Sequence, residues 1–531
     1  MMALPANGTA WPPVELAAIL PKYREYAGWY ANDVATLTDI YTKATGRPGM
    51  ISRLRTWFLG AKSNGQAETN SIHVPLGQEI CRTAANLLYS EPSKATIIPP
   101  AGVTDVSKAQ ERLDLIAGPA FEQLSISAAE ISAALGGVFK RITWDASVKD
   151  HVFITKVDAD AAHPEFTAGQ LTAVTFWQVV GRTNSTVWRL LERHELDAQG
   201  VGVIVYGLYM GTDSNLGQAQ SFDAHKATEW LMRPDVLSQL IDGTTLSTLT
   251  PGLGAVYAPN ILPSSMWRND PLGCNLGRSD LEGIEQMLDA LDELYSSWLK
   301  DIRLGKGRLI VGESMLRDLG AGLGAGFDLD QTIFTPVKAA PSSAGSEKMA
   351  IEAVQFQIRT DDFLKAIDHF RRVILAAAGY SPSTFGLTDD GAAMTATEVA
   401  ARQQLSFTTR KRKVLGVKPA DEAILSKALA VDAVIFPAGG AQPYAVECEF
   451  PDGVSDDPKA IAETNQLDYN SQSSSIEERV RKRNPDWDDV KVGEEVARIK
   501  DEFGLAPLTD PATFGTDGKG LTTQPFPTPT G

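Results

Sequence analysis

Cysteine is scarce: Cys81, Cys274 and Cys448 are the three in 531 residues. They lie far apart and form no Cys-x-x-Cys pair, so a disulfide scaffold and a zinc ribbon are excluded, and each reads as a small buried apolar residue. The six histidines (His73, His151, His163, His194, His225 and His369) are also dispersed, with no His-Glu-x-x-His and no pair at ligand spacing. No apolar run approaches the roughly 20 residues that span a bilayer. The start, "MMALPANGTAWPPVEL", has neither a basic head nor an apolar centre. No secretory signal is expected there, and the product is expected to stay in the cytosol of the cell that makes it. Positive charge is short as well, since 49 Lys and Arg stand against 66 Asp and Glu, a formal −17. That excludes a surface that wraps nucleic acid in lysine and arginine. It does not exclude one past which nucleic acid must slide without sticking.

Nucleotide-binding signatures fail too. "GAGLGAG" at 320–326 lacks the lysine and hydroxyl residue of a phosphate loop, and "RLIV" precedes it by several residues instead of feeding it. In "GTDGKGL" a glycine follows Lys519 where Ser or Thr is needed. Asp361 and Asp362 form a carboxylate pair, but at a helix start they have a plain electrostatic purpose. No enzyme activity, cofactor or metal ion is expected.

What is present is enough chain for about three or four packed units at about 150 residues each. The 43% hydrophobic and 22% charged content is ordinary for a globular protein. Residues 14–60 read as mostly helical, with Trp29 and Trp57 as core anchors. Leu76, Ile80, Ala84, Leu87 and Leu88 form a helical stripe between Pro75 and Pro92. Residues 108–137 are again helical. From 150 to 210 the period shifts to two, in "LTAVTFWQVV", "VWRLLERHEL" and "VGVIVYGLYMG", and predicts a sheet.

The most legible segment is "LGRSDLEGIEQMLDALDELYSSWLKDIRLGKGR", 276–308. Ser279 and Glu282 have the spacing of a capping box, which predicts a helix from about 280 to 303. Ile284, Met287, Leu288, Leu291, Leu294 and Trp298 share one face, and Glu282, Glu285, Asp289, Asp292 and Glu293 share the other. A solvated outer face and a functional acidic stripe fit that pattern equally well. Residues 304–359 interrupt the helices with short extended runs, "GRLIV", "QTIFTPV" and "AVQFQI". A second helix resumes at 360, with Phe363, Ile367, Phe370 and Ile374 on one side and a stop at Gly379.

"GYSPSTFGLTDDGAAMTATEV" follows, a loop of about fifteen residues between two helices, longer than a compact domain normally leaves without a function. Thr395 and Glu398 then suggest another capping box. The third helical region reads as broken near Gly416 and Pro419, resuming in "DEAILSKAL". "AVDAVIFP" and "YAVECEFPDG" read as strands, "SIEERVRKRNPDWDDVKVGEEVARIKDEFGL" as helices around Pro485, and the Pro-, Gly- and Thr-rich tail as disordered.

Four blocks, "IHVPLGQEICRTAANLLYSEP", "APNILPSSMWRNDPLGCNLGRSDLEGIEQMLDALDELYSSWLKDIRLGKGRLIV", "GYSPSTFGLTDDGAAMTATEVAARQQ" and "SSIEERVRKRNPDWDD", cover with their order most of residues 70–500. The chain resembles in them the portal proteins of tailed bacteriophages, in particular the branch found in phages of actinobacteria. The resemblance implies an α+β portal fold that assembles as a ring, usually of twelve copies, at one vertex of the capsid. Double-stranded DNA is packaged and ejected through the ring. Residues 1–278 and 395–455 would form the α/β wing, 279–303 and 360–379 the stem helices, and 304–359 the small clip. Residues 380–394 would form the tunnel loop, 456–505 the helical crown and 506–531 the tail. Implied partners are the ring itself, the DNA, the large terminase subunit, a head-to-tail adaptor, and the major capsid protein with its scaffold. No membrane partner is implied. The location would be the virion, with assembly in the host cytoplasm.

On that resemblance Ser383, Thr384, Asp389, Asp390, Gly391 and Met394 are the candidate loop residues meeting DNA. Glu285, Asp289 and Asp292 are the candidate acidic wall. The basic run Arg410, Lys411, Arg412 and Lys413 has two readings, a DNA contact or a pairing with acidic groups between subunits, and the second is favoured. The competing classes are another non-enzymatic connector or assembly protein of the particle, and an acidic enzyme of unknown type, against which the missing motifs count.

Overall fold

The structure, a computed structural model, describes residues 4–44, 72–183, 185–304, 308–310, 317–318, 325–326, 352–354, 359–387, 396–451, 466–467, 471, 474–484, 487 and 489–503. The chain divides into two compact units, Met1–Gly453 and Val454–Gly531. Trp57, the extended run "QTIFTPV", Thr395 of the expected Thr395–Glu398 capping box and the tail expected to be disordered lie outside what is described.

The first unit mixes helices and sheets. Helices α1 (Leu20–Ala31), α2 (Val34–Ala44), α3 (Leu76–Leu88), α4 (Ser107–Ile116) and α5 (Pro119–Leu135) precede strand-rich chain, within which lies the short α6 (Pro234–Leu237). Pro119 stands at the first position of α5, where its missing N–H costs nothing, and Gly136 ends the helix at φ +83. The period-two region forms an antiparallel sheet, in the order β4 (Ala162–Thr167), β5 (Gln170–Arg182), β6 (Val187–Leu196), β7 (Val201–Thr212), β10 (Thr245–Pro251) and β9 (Leu240–Ile241). Strand β8 (Asn215–Gln220) pairs with β7. A second sheet of β11 (Ala255–Pro259), β2 (Gly137–Thr143) and β3 (Phe153–Asp158) adjoins it, and β1 (Lys94–Ile98) pairs with the late strand β16 (Ala445–Glu449). Cys81 and Cys448 are buried and Cys274 is exposed.

A helical hairpin follows. Helix α7 (Glu285–Leu304) and helix α8 (Thr360–Ala378) flank a short ladder of β12 (Arg308–Ile310) with β15 (Glu352–Val354), and between these two strands in sequence β13 (Arg317–Asp318) pairs with β14 (Ala325–Gly326). Helix α8 stops as its sequence predicts, at Gly379 with φ +90. The start of α7 differs. Ser279 does not cap it: its hydroxyl donates to the Ala134 carbonyl at 2.5 Å and accepts the Leu281 N–H at 3.0 Å. The Glu282 carboxylate takes the hydroxyls of Ser264 and Ser265. With both halves of the capping box engaged by distant chain, and Gly283 at φ +90, the helix begins five residues later than predicted from the caps.

Helix α9 (Ala396–Ile435) is a single 40-residue helix with Pro419 inside it, so the break expected near Gly416 and Pro419 does not occur. Gly416 serves a close approach instead of a stop. A Cβ there would lie 2.4 Å from the Pro259 carbonyl oxygen. Pro419 is exposed and Leu415, one turn earlier, is 76% exposed, so the carbonyl that loses its N–H faces water. "AVDAVIFP" is likewise the end of this helix and not a strand. Val431 is fully buried there among Leu425, Ala428 and Leu429, and tertiary packing overrides a β-branched preference.

In the second unit, α10 (Ile476–Arg483) is capped by the Ser475 hydroxyl, which accepts the Glu478 N–H at 3.1 Å. Helix α11 (Asp489–Glu502) follows.

Candidate functional site

The hairpin is the element from which a site can be built. Near its base Leu288, Leu291, Ile367, Ile374 and Leu375 are buried against α1 and α3. Toward its tip the two helices rely on each other. Trp298 stacks on Phe363 with ring centroids 6.4 Å apart, and Arg359 closes the open end on Asp301 at 3.1 Å. A cavity of about 240 Å³ lies between them, lined by Ala290, Glu293, Leu294, Ser297 and Phe370.

Two of the three acidic wall candidates are committed inside the subunit. Glu285 is 8% exposed, accepts the Gly283 N–H at 2.8 Å and stands 3.7 Å from the Lys22 ammonium. Asp292 takes His73 Nδ1 at 2.7 Å and the Val74 N–H at 2.8 Å, tying the lead-in to α3 onto the hairpin. Asp289 is half-buried. The stripe is therefore partly internal wiring, because the base of the hairpin is packed on its acidic side as well.

Chain leaving α8 is held along one face of α9. The Thr409 hydroxyl donates to the Gly379 carbonyl at 2.5 Å, and the Ser406 hydroxyl accepts the Ser381 N–H at 2.9 Å. Thr384 meets the same Ser406 hydroxyl at 2.8 Å, and Ser383 donates to the Arg402 carbonyl at 3.3 Å. Two of the six candidate loop residues, Ser383 and Thr384, thus sit in a short 3-10 turn anchored on α9. Asp389, Asp390, Gly391 and Met394 lie outside the described residues.

The basic run divides by helical phase. Arg410 and Lys413 are 3% exposed and Lys411 and Arg412 are exposed. Arg410 donates to the carbonyls of Leu87 and Pro451 within its own chain. Lys413 reaches both Asp280 oxygens, at 2.9 and 2.7 Å, and the Asn260 amide oxygen at 2.6 Å. Of the four, Lys411 and Arg412 keep the surface position that a contact with DNA or a neighbouring subunit needs. Tyr380 joins the Asp280 cluster by donating its phenol at 2.6 Å. Burial and the Asp280 carboxylate hold that phenol protonated, well above the usual tyrosine range. Asp280, Asn260, Tyr380, Ser406 and Thr409 were not picked out by sequence reasoning. The signal was there in part, since 402, 406, 409 and 413 step by four, three and four along one helix face.

Farther along α9, Lys427 enters a cage of neutral oxygens: Thr248 Oγ1 at 3.0 Å, Thr250 O at 2.9 Å, Thr250 Oγ1 at 2.7 Å and Pro251 O at 3.0 Å. Burial lowers its amine to about 8 from the usual 10.5. Below pH 8 both the folded and the unfolded chain carry the proton. Between pH 8 and 10.5 the unfolded chain binds more protons, so stability rises with pH across that window. We expect Lys427→Met to remove this slope, as followed by chemical unfolding at pH 7.5, 9 and 10.

Among the described residues no helix is long and apolar enough to cross a membrane, and no group of three His, Cys, Asp or Glu side chains is placed to hold a metal ion. No protein-family model matches the chain. No curated protein matches it either. Among solved structures it is similar to a chain of one described as "Neck of empty GTA particle computed with C6 symmetry". The two are 13% identical, with 81% of this chain and 92% of that chain covered and a TM-score of 0.39. A likeness at this level carries no argument about what the chain does.

Proposed function

We propose that this chain is a portal-type subunit: copies of it close into a ring whose central channel conducts double-stranded DNA into and out of a capsid. One observation carries the reading. An antiparallel helix pair, α7 and α8, brackets a small β ladder and returns through an anchored turn into the long helix α9. The same order is implied by the sequence blocks that resemble portal proteins. In this reading the hairpin is the stem and the ladder at its tip belongs to the clip, on which a packaging motor and then a head-to-tail adaptor dock. The turn at Pro382–Phe385 seats the base of the tunnel loop.

Charge supports a conduit over a clamp. Each phosphate neutralised by lysine or arginine adds counterion-release affinity and slows release. A subunit with a formal −17 avoids that trap, and a twelve-membered ring carries twelve times the charge. Lys411 and Arg412 are the proposed contacts with a neighbouring subunit.

Electron microscopy of the purified full-length chain tests the proposal. The expected images are rings with a central hole. A compact monomer that does not assemble, even alongside its capsid partners, would overturn it. The second reading, another non-enzymatic connector or assembly protein, lacks an account of a β ladder set between two long helices that lead into a third.

A further inference from the structure

The hairpin and helix α9 belong to different apolar cores. The buried apolar residues of the hairpin, from Leu281 to Leu291 and from Ile367 to Ala378, lie in the core built with α1 and α3. The buried apolar residues of α9, from Val417 to Val431, lie in other clusters with α4, β1, β2, β16 and one side of α3. Where the hairpin meets α9, the contacts are polar instead. One foot of the hairpin, Asp280 just before α7, reaches α9 through Lys413. The other foot, Gly379–Thr384 just after α8, reaches it through Thr409, Ser406 and the Arg402 carbonyl. Tyr380 joins the two feet, since it sits in the second and donates to Asp280 in the first. Asn260 completes the cluster by giving its amide N–H to Asp280 at 2.8 Å and its oxygen to Lys413.

A buried ion pair whose remaining lone pairs are satisfied has one register in which every donor meets its acceptor, and a slip strands a buried charge. The Asp280 carboxylate is 4% exposed by residue, and its oxygens take Lys413, Asn260 and Tyr380. We propose that the seam between the hairpin and α9 is a shear plane, and that the Asp280–Lys413 pair is the lock that sets its register, while the Tyr380–Asp280 bond keeps the two feet together. Release of the pair frees the two feet as one unit, while the sheet of β4–β7 stays in place. Shear between packed helices is a standard route for small displacements. The lock is read from the fold alone and stands or fails independently of ring assembly.

Hydrogen–deuterium exchange on the full-length chain tests it. Lys413→Met is expected to speed exchange at least tenfold in both 280–291 and 375–384, and to leave β5, β6 and β7 unchanged. The double variant Asp280→Asn/Lys413→Met removes the uncompensated carboxylate, so thermal stability should recover while both feet stay fast. If protection in the feet recovers together with stability, the pair is charge balance only and the lock is refuted. Ser406→Ala/Thr409→Val is expected to loosen 379–384 alone; loosening of 280–291 in that variant would also refute it. Should Lys413→Met fail to fold, the two double variants carry the same comparisons. Ring images report on the functional reading and are unaffected by any of these outcomes.

Discussion

Arg112→Met is expected to destabilise the first unit by about 3–5 kcal/mol, the usual cost of stranding one member of a buried ion pair. Asp432, near the end of α9, is completely buried. Arg112 on α4 grips it with two bonds, Nε at 2.7 Å and Nη2 at 3.1 Å, and the Val152 N–H adds a third at 2.9 Å. Arg112 also donates to the Asp150 carbonyl and lies over the Phe436 ring, so one guanidinium ties α4, the lead-in to β3 and the end of α9. Methionine keeps part of the stem volume and leaves the carboxylate with one donor. Arg112→Met/Asp432→Leu should recover at least half of the loss, because no buried charge then remains. Urea unfolding of the full-length variants measures both numbers.

The second large effect is steric. Gly136 and Gly277 cross back to back beneath the start of the hairpin. A Cβ on Gly277 would stand 2.1 Å from the Gly136 carbonyl oxygen and 2.8 Å from the Asn260 nitrogen. These are backbone atoms that cannot rotate away, so Gly277→Ala should cost about 3 kcal/mol. The crossing positions Asn260 and Asp280, whose N–H donates to the Ala133 carbonyl at 2.8 Å. The variant should therefore also loosen the hairpin feet. Gly200→Ala is the control. It has a left-handed φ of +80, which Gly277 does not, and no atom within 4 Å of a built Cβ, so it reports backbone strain without a clash and its cost should stay near about 1 kcal/mol. A loss in Gly277→Ala no larger than that in Gly200→Ala would show that the crossing is not tight enough to set the effect.

Much of the fold was legible along the chain because its cause is local. Helix α8 announces itself through its stripe, its acidic first turn and the glycine after it, and the structure ends it at that glycine. The stripe Leu76, Ile80, Ala84 and Leu88 predicts α3, and the alternating runs between 150 and 210 predict the sheet. The failures share one cause. Ser279 and Glu282 look like caps but are engaged by residues far away in sequence. Gly416 and Pro419 look like a break, yet packing on several sides of α9 carries the helix through them. "RKRK" looks like one surface patch, yet helical phase sends Arg410 and Lys413 inward and leaves Lys411 and Arg412 outside.

By itself, then, the order of residues determined where most elements run, the acidic balance of the chain, and the absence of recognisable nucleotide, thiol and metal motifs. All of these depend on neighbours within a few positions or on sums over composition. Only the tertiary structure decided which charges are internal. Asp280 finds Lys413 across 133 positions, Arg112 finds Asp432 across 320, and Lys427 finds its oxygen cage across about 177. A charged side chain has the same sequence signature whether it meets water or a buried partner, and burial alone separates the two.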